Sequence, residues 1–92
     1  MAIGRDVIKG EVVPVLEHVS HMPVKDDESE ELTADLLISA LLREALSATW
    51  TKISRSHGGE AVSRNASLKA RTVKAVIDLV HKQANVLAKT DA

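Results

Sequence analysis

Cysteine, phenylalanine and tyrosine are absent from this 92-residue chain, and tryptophan occurs once, at Trp50. Without cysteine there is no disulfide, no thiolate nucleophile and no Cys-ligated zinc, which fits a cytoplasmic protein. A core with a single aromatic side chain has to be built from Leu, Ile, Val and Ala. Those residues suit closely packed helices better than a sheet, where aromatics are favoured, and alanine is the best helix former. The composition therefore points to an all-α fold. No apolar run reaches the roughly 20 residues of a membrane span, because Arg43 and Glu44 interrupt the strongest one. The N-terminus carries Arg5, Asp6 and Lys9 and lacks the apolar core of a signal peptide.

The length allows one domain at most, and a hydrophobic fraction of 45% argues against global disorder. The formal net charge of −1 exerts no general pull on nucleic acid. Its distribution is more informative. Residues 1–51 hold four Lys/Arg against ten Asp/Glu, whereas residues 52–92 hold eight against three. Such asymmetry can attach the two halves to each other or steer a charged partner.

The most apolar stretch is Leu32 to Ile53, whose centre, Leu36 to Leu42, contains only Ser39 as a polar residue. Before it, residues 1–10 have little periodicity and read as a loose arm, with 11–92 as a single helical domain. Glu11 to His21 reads as a short helix with Pro14 in its first turn and Val15, Leu16 and Val19 at helical spacing. Pro23 closes that segment. Asp27 and Glu30 have the spacing of a capping box, and the acidic run Lys25 to Glu31 suits the positive end of a helix dipole. A long helix is thus expected from about Glu28 to about Arg55, about 40 Å at 1.5 Å per residue. Gly58 and Gly59 supply a reversal. A second long helix follows from about Glu60 to about Lys89, with Ala66, Val73, Val80 and Leu87 recurring every seven residues.

The expected architecture is an antiparallel hairpin of these two helices plus the short N-terminal one. It sets the acidic helix start beside Lys82 and Lys89. The apolar arcs are wider than two helices can cover, so a second copy should complete a dimeric bundle. Leu42, Leu46, Trp50, Leu68, Leu79 and Val86 are the residues expected at that protein interface. Trp50 alternatively anchors the end of the hairpin.

Little catalytic or metal chemistry can be assembled. His18 and His21 are three residues apart beside Glu17, but a metal site needs further ligands from elsewhere. No Gly-x-Ser-x-Gly elbow is present, and Asp26, Asp27 and Glu28 read as solvated carboxylates at a helix start. No catalytic residue, cofactor or metal is expected, and the chain does not read as an enzyme. Lys52, Arg55, Arg64, Lys69, Arg71 and Lys74 form a basic group around the turn, opposed only by Glu60. They could steer a charged partner or contact phosphates, although no aromatics are available for base stacking.

Several local features combine in one layout. Val13-Pro14 and Met22-Pro23 precede an acidic helix start, Gly58-Gly59 forms the turn, and Asn65-Ala66-Ser67-Leu68 leads into Lys74-Ala75-Val76-Ile77-Asp78-Leu79-Val80. This layout resembles the TraM-type antiactivators that restrain quorum-sensing control of plasmid conjugation. The resemblance implies a dimeric helical protein that binds a LuxR-type transcription factor and keeps it from DNA, without a cofactor. No family site residue maps onto a position of this chain. The expected function is that of a protein-binding regulatory protein. The alternative is a small nucleic-acid-binding or plasmid/phage accessory protein using the basic turn region.

Overall fold

A computed structural model describes residues 2–90. The chain is all-α, with helices α1 (Arg5–Ser20), α2 (Ala40–Ala45), α3 (Ser47–Ser56), α4 (Arg64–Lys69) and α5 (Val73–Thr90). Among the described residues there is no strand, only an isolated antiparallel bridge between Glu31 and Thr72.

The segment expected to be a loose arm is helical from Arg5, and even its first residues are held. Asn85, buried on α5, accepts from the Ile3 N–H at 2.5 Å and donates to the Ile3 carbonyl at 2.9 Å. One buried amide thus bonds both backbone groups of Ile3, as a neighbouring strand would, and His81 Nε2 lies 3.0 Å from the same carbonyl. Beyond this clamp, Ile8, Val12 and Leu16 are fully buried at successive four-residue spacing and bring α1 against α5. Pro14 lies inside α1 rather than in its first turn. It is exposed, so its ring and its missing N–H face away from the core.

The helix expected from Glu28 to Arg55 is absent over 28–39 and begins only at Ala40. Asp27 accepts from both the N–H and the hydroxyl of Ser29, at 3.0 and 2.7 Å, which makes a local turn instead of a capping box. Glu28 and Leu37 have φ of 63° and 58°, incompatible with a right-handed helix. The cause is tertiary. The first N–H groups of α5 have no partners within their own helix, and the carbonyls of Glu30 and Glu28 accept from Val73 and Lys74 at 3.0 and 3.2 Å. A helix over 28–31 would have used those carbonyls itself. The intervening turn folds inward, burying Leu32, Leu36 and Ile38, while the Leu32 carbonyl accepts from Ile38 N–H at 2.8 Å.

This pairing also reverses the charge arrangement expected from a simple hairpin. The acidic segment meets the start of α5 instead of its end, and its cations come from α1. Arg5 and Lys9 contact Glu28 at 2.6 and 3.0 Å, and Arg5 also reaches Asp78 at 2.8 Å. Lys82 forms no ion pair among the described residues, and the Lys89 side chain lies outside them.

Helices α2 and α3 nearly continue one another across Leu46, and Ser39 caps α2 by accepting from Leu42 N–H at 3.2 Å. Trp50 is 1% exposed and anchors α3 against the core. The reversal at Gly58-Gly59 is present: Gly58 has φ 81°, and Gly59 N–H donates to the Ser54 carbonyl at 2.9 Å. The second long helix is likewise divided. Thr51 Oγ1 pins the strap before α4 by accepting from Val62 N–H at 2.9 Å, and Ser63 caps α4. Ala70, extended at ψ 95°, ends α4 before α5 begins. On α5 the expected apolar stripe is buried at Val73, Ile77, Val80 and Ala84, joined by Val76, whereas Leu87 at its end is 45% exposed.

Candidate interaction surface and the Arg43 cleft

The six residues expected at a protein interface divide by burial. Leu46 and Trp50, 6% and 1% exposed, belong to the core of the single chain. They are not available to a partner, because α1, the 32–38 turn and α5 complete the cover that two helices alone would not provide. Leu68, Leu79 and Val86 are half-buried, and Leu42 is 36% exposed. The most exposed large apolar side chains lie earlier in the chain: Leu37 and Leu41 are each 78% exposed, against 51% for Val7 and 45% for Leu87. Both lie in the apolar stretch that a continuous helix would have covered on most sides. The left-handed conformation of Leu37 and the start of α2 at Ala40 turn them outward instead.

The basic residues Lys52, Arg55, Arg64, Lys69, Arg71 and Lys74 are all exposed. Arg64 approaches Glu44 at 3.9 Å; the other five form no ion pair among the described residues. His18 and His21 stand with ring centroids 6.4 Å apart. Among the described residues no three His, Asp or Glu side chains converge on a common point. His57 bonds instead to Glu11 at 2.5 Å, tying the end of α3 to α1. No helix among the described residues is long and apolar enough to cross a membrane.

The acidic segment has a structural role. Hydrogen bonds from Arg5, with further help from Lys9, hold the Glu28 carboxyl down at about 2, against an ordinary value of 4.5. Arg5 is correspondingly raised, chiefly by its bond to Glu28, and Lys9 is raised for the same reason. The Ser29 hydroxyl and N–H lower Asp27. These carboxylates are therefore firmly ionised near neutrality, which suits ion pairing and not proton transfer.

In the sequence Arg43 stands out only as a charge that interrupts the most apolar run. It is 8% exposed, and its neutral partners come from two directions. Its Nε donates to the Leu68 carbonyl at 3.3 Å, near the end of α4, and its Nη1 donates to Thr33 Oγ1. The Ser67 hydroxyl in turn donates to the Arg43 carbonyl, locking α2 to α4. Beside this guanidinium opens a cleft of about 370 Å³, lined by Glu31, Thr33, Ala34, Arg43 and Arg71. The available signal was the neighbourhood on α2. Ser39, Ala40, Leu46 and Ser47 occupy the positions three and four residues away, so no acidic side chain lies at ion-pairing distance along the helix.

Compared with protein families, characterised proteins and solved structures, the chain matches none of them.

Proposed function

We propose that this chain is a small cytoplasmic protein, not an enzyme, that acts by binding other proteins and that pairs with a second copy through its Leu37–Leu42 surface. The observation carrying this reading is Leu37, 78% exposed at φ 58°. A leucine in the left-handed region is unfavourable by about 1–2 kcal/mol, and leaving it in water forgoes about 1.5–3 kcal/mol of burial. Leu41, equally exposed four residues later, adds a similar amount. The core beneath is closed, so this surface has value only to something that docks on it.

The specific form of the proposal is an antiactivator that sequesters a LuxR-type transcription factor and blocks its DNA binding. Its support is the resemblance in layout to the TraM-type proteins, together with an apolar docking surface and charges suited to steering. The test is a gel-shift assay in which the chain is added to a LuxR-type regulator bound to its operator. Release of the DNA by the native chain, and not by Leu37→Glu/Leu41→Glu, is expected. Undiminished DNA occupancy with the native chain contradicts the antiactivator form.

One observation favours a second reading. Five of the six basic residues around α3, α4 and the start of α5 are exposed without an acidic partner among the described residues. A nucleic-acid role would show direct retention of DNA or RNA that falls steeply with salt and is lost on reversing Arg64 and Lys69. Salt-insensitive, sub-stoichiometric retention would remove it.

A further inference from the structure

An arginine only 8% exposed ordinarily has a carboxylate beside it. Arg43 has none among the described residues; its two bonds go to a hydroxyl and a backbone carbonyl, leaving three of five N–H donors. No buried side-chain nitrogen or oxygen among the described residues lacks a hydrogen-bond partner. Nη2, which carries two of these donors, therefore reaches accessible space, and the cleft is the space that Arg43 lines.

We propose that this cleft binds a singly charged carboxylate, with its oxygens on the free donors of Arg43 and with Arg71 as the second cation. A guanidinium fork matches the two oxygens of a carboxylate. The position of Arg43 is fixed in advance by Thr33, Leu68 and Ser67, so little freedom is lost when a ligand arrives. Arg71 is exposed and has no ion pair. Glu31, also on the lining and also without an ion pair, leaves the cleft with one net positive charge. That balance attracts an anion, while Glu31 repels the second charge of a phosphate dianion more than it repels a monoanion. Ala34 offers a small apolar wall to the carbon adjoining the carboxylate. The same chemistry could come from a free carboxylic acid or from a Glu or Asp side chain on a bound protein. The site itself depends on neither the dimer nor a regulator.

The test follows the Arg43 Nε–Hε resonance in ¹⁵N-labelled protein during titration with sodium acetate, with acetyl-Leu-Glu-amide, with sodium phosphate and with sodium chloride at matched ionic strength. A saturable shift with acetate or with the peptide is expected, and phosphate should bind more weakly. Equal affinities for the first two mark a general carboxylate site, and a tighter peptide marks an acidic side chain as the ligand. Arg43→Met, followed at the backbone amides of Thr33 and Ala34, should show no saturable shift with acetate or with the peptide. The exposed positions keep the test independent of folding. Arg71→Gln should weaken acetate by about threefold and Glu31→Gln should strengthen it by about threefold, as expected for one unit charge about 6 Å away in a water-like medium. The proposal is overturned if chloride reproduces the shift, if no probe saturates, if phosphate binds more tightly than acetate, or if neither Arg71→Gln nor Glu31→Gln changes the affinity.

Discussion

At Gly59 a β-carbon would lie 2.3 Å from the Gln83 carbonyl oxygen, 2.5 Å from Ala84 Cα and 2.5 Å from Ser54 Oγ. Two of these three atoms are backbone of α5, so no side chain can simply swing away. An ordinary C···O contact is near 3.3 Å, and Gly59→Ala therefore forces α3 and α5 apart by about 1 Å. That displacement also strains the Glu60 N–H bond to Gln83, 3.1 Å long, and the Ser54 hydroxyl bond to Glu60, 2.7 Å. Overpacking of this kind costs about 1–3 kcal/mol, occasionally more, and with two hydrogen bonds at risk about 3 kcal/mol is expected. Gly58 is the opposite case. Its φ is 81° and a β-carbon there meets nothing within 4 Å. Gly58→Ala should cost only the left-handed backbone term of about 1–2 kcal/mol, reduced by the smaller unfolded-state entropy of alanine. Urea denaturation of the three proteins measures the difference directly. A Gly58→Ala variant less stable than Gly59→Ala would refute the close approach of α5 to the turn.

Other consequences are equally open to measurement. Glu28 titrates at about 2 in the folded chain against 4.5 ordinarily, so its ion pairs contribute stability above about pH 4.5 that disappears as pH falls towards 2. Because Arg5 is one-third exposed, screening reduces the linkage to about 1–2 kcal/mol. Denaturant titrations should show Glu28→Gln less stable than native by that amount at pH 7, with the gap closing near pH 2; a gap unchanged across the range would contradict the assignment. Asn85→Leu removes the acceptor of the Ile3 N–H while His81 Nε2 stays 3.0 Å from the Ile3 carbonyl, and hydrogen exchange should then lose protection at Ile3 while the middle of α3 keeps it. Trp50→Ala should cost about 3–5 kcal/mol by calorimetry or denaturant, because the indole is in the core; a change below about 1 kcal/mol would place it at the surface.

The sequence revealed elements whose cause is local. The all-α class followed from the near-absence of aromatics and the many alanines, the reversal from adjacent glycines, and the buried face of α5 from its own apolar periodicity. The breaks at 28–39 and 70–72 were not legible, because their cause is non-local. The start of α5 draws hydrogen-bonding carbonyls from a segment more than 40 residues earlier, and no helical-wheel pattern encodes that competition. Asn85 and Ile3 illustrate the same limit, since a polar residue on α5 is what orders the N-terminus. The apolar stretch centred on Leu36–Leu42 was legible as a segment needing cover, but which of its side chains are covered was not. Leu36, Ile38 and Leu46 are buried, whereas Leu37 and Leu41 face out, and Trp50 takes the anchoring alternative. Arg43 was visible only as a charge within an apolar run; its burial depends on α4.

The central claim, that the exposed leucines at 37 and 41 join two copies of the chain, is tested most directly by sedimentation velocity at micromolar concentration. The native protein is expected to sediment as a dimer, and Leu37→Glu/Leu41→Glu as a monomer with an unchanged far-UV circular dichroism spectrum. A native protein that sediments as a monomer, or a double variant that remains a dimer, would contradict it.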